Sequence, residues 1–127
     1  MAEKPAQQEL CGLAAVVTGS SSGIGRAIAL ELAAAGADVL VHARRSHDAA
    51  QAVAAEIQAR GRQSRVVLAD LADPHQQDTL AEKAWRWHGG VDIWVNNAGA
   101  DVLTGEAKGW PFEQKLALLW QVDVVAT

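Results

Sequence analysis

The sequence predicts an α/β fold, a doubly wound parallel sheet, and three observations carry that expectation. Short apolar runs alternate with longer segments whose apolar residues recur at helical spacing. The runs are continuous rather than alternating, as in strands covered by helices on both faces. Between the first run and the first helix lies a loop of glycine and serine, Thr18-Gly19-Ser20-Ser21-Ser22-Gly23-Ile24-Gly25. Alternating strands and helices joined by right-handed crossovers give a parallel sheet with two helical layers. Four strands are expected, with the fold truncated after the helix that follows the fourth.

Taken in order, residues 1–9 read as a polar tail and residues 10–127 as one domain. Ala14 to Thr18 is the first strand, and Ile24 to Ala35 a helix stopped by Gly36. Asp38 to His42 is the second strand. From Ser46 to Arg60, Ala49, Ala50, Val53, Ala54 and Ile57 fall on one helical face, and Gly61 ends the segment. Arg65 to Ala69 is the third strand. Asp73-Pro74 then opens a helix with an acceptor side chain at the cap and proline in the first turn. Gly89-Gly90 stops that helix after His88. Val91 to Val95 is the fourth strand, and Phe112 to Val125 the last helix.

Composition narrows the function classes. Half of the 127 residues are apolar, a fifth are charged and the net charge is −4, the profile of a soluble globular domain. Mild acidity argues against a nucleic-acid groove, which needs clustered Lys and Arg. The N-terminus is too polar for a signal peptide, and no run approaches the roughly 18 apolar residues of a membrane helix. A cytoplasmic enzyme is the expectation. The lone Cys11 has no intrachain disulfide partner, and no Cys/His spacing suits zinc. His42, His47, His75 and His88 are scattered and form no ligand set.

The loop carries the chemistry. Gly19 permits a tight turn after the strand, Gly23 lets backbone approach a ligand, and Gly25 lets the new helix pack close to the sheet. The helix beginning near Ile24 turns unpaired N–H groups and its positive dipole end toward a pyrophosphate. Ser20, Ser21 and Ser22 add hydroxyl donors. The pattern T-G-x-x-x-G-x-G differs from the dinucleotide fingerprint G-x-G-x-x-G. With Asn96-Asn97-Ala98-Gly99 closing the fourth strand and Asp70 closing the third, the chain resembles the classical short-chain dehydrogenase/reductase family over nearly all of residues 10–127. That resemblance implies a Rossmann-type fold and hydride transfer between a nicotinamide dinucleotide and a small carbonyl or alcohol substrate.

It also implies site residues. Thr18, Gly19, Ser20, Ser22, Gly23, Ile24 and Gly25 would hold the pyrophosphate side. Asp70 and Leu71 would meet the adenine, and Asn97, Ala98 and Gly99 would lie along the ribose. At the end of the second strand, an acid would bond ribose hydroxyls in an NAD-binding fold. Ala43 stands there instead, followed by Arg44 and Arg45, which can pair with a 2′-phosphate. NADP(H) is therefore favoured, with NAD(H) the alternative, since Ser22 stands where many NADP-preferring relatives carry Arg or Lys. A solvated pair of arginines is the plainer reading of Arg44 and Arg45. Asp38 lies too early in its strand to reach the ribose.

The family's proton donor is a tyrosine, paired with a lysine, and this chain contains no tyrosine. A truncated nucleotide-binding fragment or pseudoenzyme acting by association is thus the alternative function. Asp123 stands where the family carries an asparagine that holds a relay water. Counted from Leu116, Leu119 and Trp120, it falls on the apolar face of the last helix, where a bare carboxylate is costly. Asp123 either holds the water or bonds backbone nearby. Trp85, Trp87, Trp94, Trp110 and Trp120 read as core and interface packing, with Trp110 and Leu103 the candidates for substrate contact. Relatives pair through the helix carrying Asp123, which implies a homo-oligomer, a dimer or tetramer. Leu116, Leu119, Val122 and Val124 are expected to be partly bare beside an open edge of the fourth strand, so the isolated chain should be marginally stable or depend on a partner.

Overall fold

The structure, a computed structural model, describes residues 8–127, so most of the polar tail lies outside the described residues. Four parallel strands stand in the order β3-β2-β1-β4. They are β1 (Ala14–Val17), β2 (Asp38–Ala43), β3 (Ser64–Leu68) and β4 (Ile93–Val95). The helices are α1 (Gly23–Ala34), α2 (His47–Ala59), α3 (Pro74–His88) and α4 (Phe112–Leu119). A 3₁₀ turn, Gly105–Gly109, precedes α4, and a π-helical segment, Trp120–Val125, continues it.

The sheet sorts its residues by the two-residue period of a strand. Ala15, Val17, Val39 and Val41 face one side and pack on Ala29, Ala33, Ala50, Val53, Ala54 and Ile57 of α1 and α2. Val16, Leu40 and Val67 face the other side, with Leu80 and Ala84 of α3 and Val122 beyond α4. Alanine along α1 and α2 lets those helices lie close to the sheet. All of β1 and Val39, Leu40 and Val41 of β2 have no solvent exposure. Each large side chain so buried contributes about 1.5–3 kcal/mol of transfer free energy.

Helix ends follow sequence chemistry. Asp73 Oδ1 accepts the N–H of His75 at 2.9 Å, Pro74 occupies the first turn and Gly89 ends α3 in the left-handed region. The Asp73 carboxyl is held below its ordinary range, first by the Gln76 side chain and next by the His75 N–H. Leu10, the first residue after the tail, donates its N–H to Ala35 O and packs on the core.

Three expectations need correction. The strands are not uniformly buried on both faces: β3 is an edge strand that exposes Arg65 and Leu68, and β4 is half-buried throughout. β4 is also shorter than Val91 to Val95, beginning at Ile93, and just ahead of it the Asp92 side chain accepts the N–H of Ala14 at 2.8 Å. The last helix is not one regular α-helix. At Trp120 the ladder widens, with Ala126 N–H reaching back five residues to Gln121 O at 3.0 Å. Val122 is thereby buried in the core, not bare, while Leu116 and Val124 are exposed as expected.

Candidate functional site

The candidate site lies where the strands end and the glycine loop begins, at the carboxyl edge of the sheet, where ligands bind in open α/β folds. Thr18 is its hub. The hydroxyl Oγ1 accepts the N–H groups of Asn97 and Ala98, both at 3.0 Å, and donates to Val95 O at 3.4 Å. Asn97 returns the contact, its Nδ2 donating to Thr18 O at 3.2 Å and Gly19 O at 3.1 Å. The ends of β1 and β4 are thus sewn together under the loop.

Gly25 is required by close approach: a Cβ there would overlap Gly19 O and stand 2.5 Å from Asn97 Nδ2. Gly23 has φ +59, and a Cβ there would meet nothing within 4 Å, so open space lies over the loop. Ser22, at the start of α1, makes no side-chain cap, and the N–H groups of the first turn have no intrahelical acceptors. Exposed Ile24 stands beside them.

Ser20 does not match its expected role as a ligand donor. It is fully buried, and its hydroxyl donates to Val17 O at 2.7 Å while accepting the N–H of His42 at 3.0 Å. Its own N–H donates to His42 O. Ser20 therefore braces the loop from inside. His42, read from sequence as an isolated histidine, is part of the same brace. Its Nδ1 accepts the N–H of Gly19 at 2.9 Å, and its Nε2 lies 2.8 Å from Ala69 O. Burial is the main cause of a lowered His42 pKa, with the contact to Ala69 O pulling the other way. The signal was there to be read: a polar ring in the buried strand Val39-Leu40-Val41-His42 needs partners for both nitrogens.

Beside the loop opens a cleft of about 300 Å³ lined by His42, Arg44, Ala69, Asp70, Leu71, Ala98, Gly99, Ala100, Asp101, Leu118 and Val122. Arg44 Nε stands 3.7 Å from Asp70 Oδ2 across its rim. Asp70 is held by its own turn, accepting the N–H of Ala72 at 2.9 Å and donating its N–H to Gln76 Oε1 at 2.7 Å. The Asp101 carboxyl is held below its ordinary range, by the Thr104 hydroxyl foremost and next by the N–H groups of Leu103 and Thr104. Arg44, Asp70, Leu71, Ala98 and Gly99 thus converge on the cleft. Arg45, Trp110 and Leu103 do not line it, and Asn97 faces the loop. Asp38 sits at the opposite end of the sheet, bonded to Gln63 N–H at 2.7 Å and His88 Nε2 at 2.8 Å.

Asp123 differs from expectation. It is exposed rather than on a buried stripe, and its Oδ1 accepts the N–H of Ala100 at 3.0 Å. The wide turn swings Val122 into the core and leaves the carboxylate to fasten the segment after Gly99. Of the two readings, the backbone bond is the one present. The tryptophans divide: Trp87 and Trp94 pack on the core, whereas Trp85 and Trp120 are exposed. Among the described residues no cluster suits a metal ion, and no helix is long and apolar enough to cross a membrane.

Comparison with known proteins agrees with this geometry. The family described as short chain dehydrogenase matches residues 13–118. The chain is 36% identical over 121 residues to 3beta-hydroxysteroid dehydrogenase 1 of Eggerthella lenta, covering 94% of this chain and 44% of that protein. It is 43% identical over 88 residues to L-rhamnose 1-dehydrogenase (NAD(P)(+)) of a Sphingomonas species, covering 69% of this chain and 35% of that protein. A short chain dehydrogenase from Burkholderia cenocepacia, solved in complex with NADP, superposes with a TM-score of 0.82 at 41% identity, over 92% of this chain and 47% of that one. The chain therefore spans between about a third and a half of the length of these relatives. The match of family, topology and loop places the chain in the short-chain dehydrogenase family of oxidoreductases, whose structural neighbours hold NADP on this fold.

Proposed function

We propose that this chain forms the dinucleotide-binding half of an NADP(H)-dependent oxidoreductase that moves hydride between the nicotinamide and a carbonyl or alcohol carbon. The observation that carries the cofactor preference is Arg44 at the rim of the cleft, following Ala43 where an acid would repel a 2′-phosphate. The residues fit such a cofactor. Open space over Gly23 and the free N–H groups of the first turn of α1 suit a pyrophosphate. Leu71 and Ala98 offer apolar walls to an adenine, Asp70 an acceptor for its amino group, and Gly99 an open backbone beside the ribose. When bound, the nicotinamide supplies the hydride or accepts it.

The parts of this chain bind and orient. Arg44 is already drawn toward the cleft by Asp70, and an exposed pair of this kind is weak, so a dianionic phosphate can take the guanidinium at little cost. Thr18 and Asn97 hold the loop against β4, and Asp123 fixes the backbone after Gly99. With the carboxylate bonded to Ala100, we assign Asp123 a positioning role at the edge of the site. Family membership supports this oxidoreductase reading over a module acting by association alone. The whole protein would work in the cytoplasm as a dimer or tetramer.

Titration with NADPH and NADH, followed by tryptophan fluorescence, tests the reading. NADPH should bind more tightly, and Arg44→Ala should remove most of that preference, a loss of about 5- to 100-fold in NADPH affinity with NADH little changed. Equal affinities in the unaltered protein would sink the NADP preference, and binding of neither would sink the dinucleotide reading itself.

A further inference from the structure

Among the described residues, His42 is the one titratable side chain that is fully enclosed. Its partners fix its protonation. Gly19 N–H can only donate, so Nδ1 must be bare; Ala69 O can only accept, so Nε2 must carry the hydrogen. These two contacts select one neutral tautomer and exclude the doubly protonated ring, whose Nδ1–H would point at Gly19 N–H. The ring thereby spans three strand ends, joining the glycine loop after β1 to the end of β3, one residue before Asp70.

We propose that neutral His42 is a positioning residue for the dinucleotide: it holds Gly19 in the turn that shapes the anion-receiving loop, and protonation of its ring releases that turn. The inference rests on the dinucleotide reading above. It assigns no contact between His42 and the ligand. Gly19 N–H is turned away from the open space over the loop, so the ring serves the ligand by fixing the turn that presents the N–H groups of Gly23 to Gly25. Ser20 reinforces the same turn, its hydroxyl bonded to Val17 O and to the His42 N–H.

The charged groups about the ring are few. Arg44 follows it on β2, Asp70 ends β3, Asp101 comes from the segment after β4, and all three line the same cleft. The loop from Thr18 to Gly25 carries no charge. Burial opposes the imidazolium, so the folded protein takes up this proton less readily than the unfolded chain, whose histidine titrates near 6.5. Where the unfolded state binds more protons, stability rises with pH. The contribution of His42 is therefore complete above 6.5 and is lost as pH falls below it, toward the lowered folded value.

Two variants separate the acceptor from the titration. In His42→Asn, Oδ1 occupies the place of Nδ1 and can accept from Gly19, but nothing titrates. In His42→Gln, the amide nitrogen reaches toward Ala69 and Gly19 loses its acceptor. NADPH affinity is measured for each from about pH 7.5 downward, past the ordinary histidine value of 6.5 to the acid limit of the folded state, because burial lowers the pH at which the ring gains its proton. The unaltered protein should lose about tenfold in affinity relative to His42→Asn across that range, and His42→Gln should bind about tenfold more weakly at every pH. Titration of the 2′-phosphate is common to all three and cancels in the ratio.

Nitrogen-15 NMR of the ligand-free protein supplies a second readout. The ring should show a bare Nδ1 and a protonated Nε2 at neutral pH, and the Gly19 amide should shift together with the ring as acid is added. Identical acid responses of the unaltered protein and His42→Asn, or a Gly19 amide indifferent to ring protonation, would overturn the proposal and leave the dinucleotide reading intact. Failure of the unaltered protein to bind NADPH or NADH would overturn both. Should His42→Asn fail to fold, the Gly19 amide in the unaltered protein decides the matter.

Discussion

On the β2 side of β1, Ala14 to Val17 meet Val39, Leu40 and Val41, and none of these residues reaches solvent. On the other side, Ile93, Trp94 and Val95 of β4 are each only half-buried, and α4 buries no residue completely. Phe112, Leu116 and Trp120 expose more than half of their surface. Both sides pair with β1 through parallel ladders of similar register, so the difference lies in what covers the strands. β2 has strands on either side and helices above and below; among the described residues β4 pairs only with β1. The division of labour follows: core burial holds the β2 side, where Arg44 and Asp70 meet the cleft, whereas hydrogen bonds from Thr18, Asn97 and Asp123 hold the β4 side.

The comparison can be broken most decisively at Leu40. Leu40→Ala should cost about 2–5 kcal/mol in urea unfolding, because the cavity opens under a fully enclosed strand. Trp120→Ala, though it removes more atoms, should change stability by no more than about 0.5 kcal/mol, since the ring is exposed. If the tryptophan variant proved the costlier, burial would not be what separates the two sides.

Next in size is Gly25→Ala, which drives a methyl into Gly19 O and should destabilise by about 1–3 kcal/mol and abolish NADPH binding together. Binding that survived would mean that the loop can shift without loss of shape. Thr18→Val keeps the volume but strips the acceptor from Asn97 N–H and Ala98 N–H, and should cost about 1–3 kcal/mol. Smallest of all, Asp123→Asn retains an oxygen for Ala100 N–H and should leave the thermal midpoint within about 1 °C, equivalent to a few tenths of a kcal/mol.

The fold was legible where pattern and punctuation agree. The Asp73-Pro74 cap and Gly89 mark their boundaries by chemistry local to a few residues, and the structure keeps them, whereas the first strand ends at Val17, one residue before the expected Thr18. The site was half legible. Gly23 announces itself by a left-handed φ that favours glycine, Gly25 because a Cβ would overlap Gly19 O, and Arg44 because a charge at the end of an apolar strand needs a reason. Ser20 misled, since a hydroxyl in a glycine loop reads as a ligand donor until Val17 O and His42 N–H are seen to occupy it. His42 stayed hidden because its partners, Gly19 and Ala69, lie 23 and 27 residues away and are backbone atoms that no side-chain pattern records. Asp123 was misplaced for a third reason: a period of 3.6 was assumed for a segment that widens to the π form.

The hydroxyl of Thr18 has one more consequence. A single oxygen receives the N–H groups of two successive residues, Asn97 and Ala98, at the mouth of an otherwise open segment. Those two amides should therefore exchange with deuterium on the timescale of the central strand rather than of their own neighbours, because neither is freed until the end of β1 itself lifts. Protection that reaches Ala98, three residues past the end of β4, and then stops would make the short strand, in kinetic terms, part of β1.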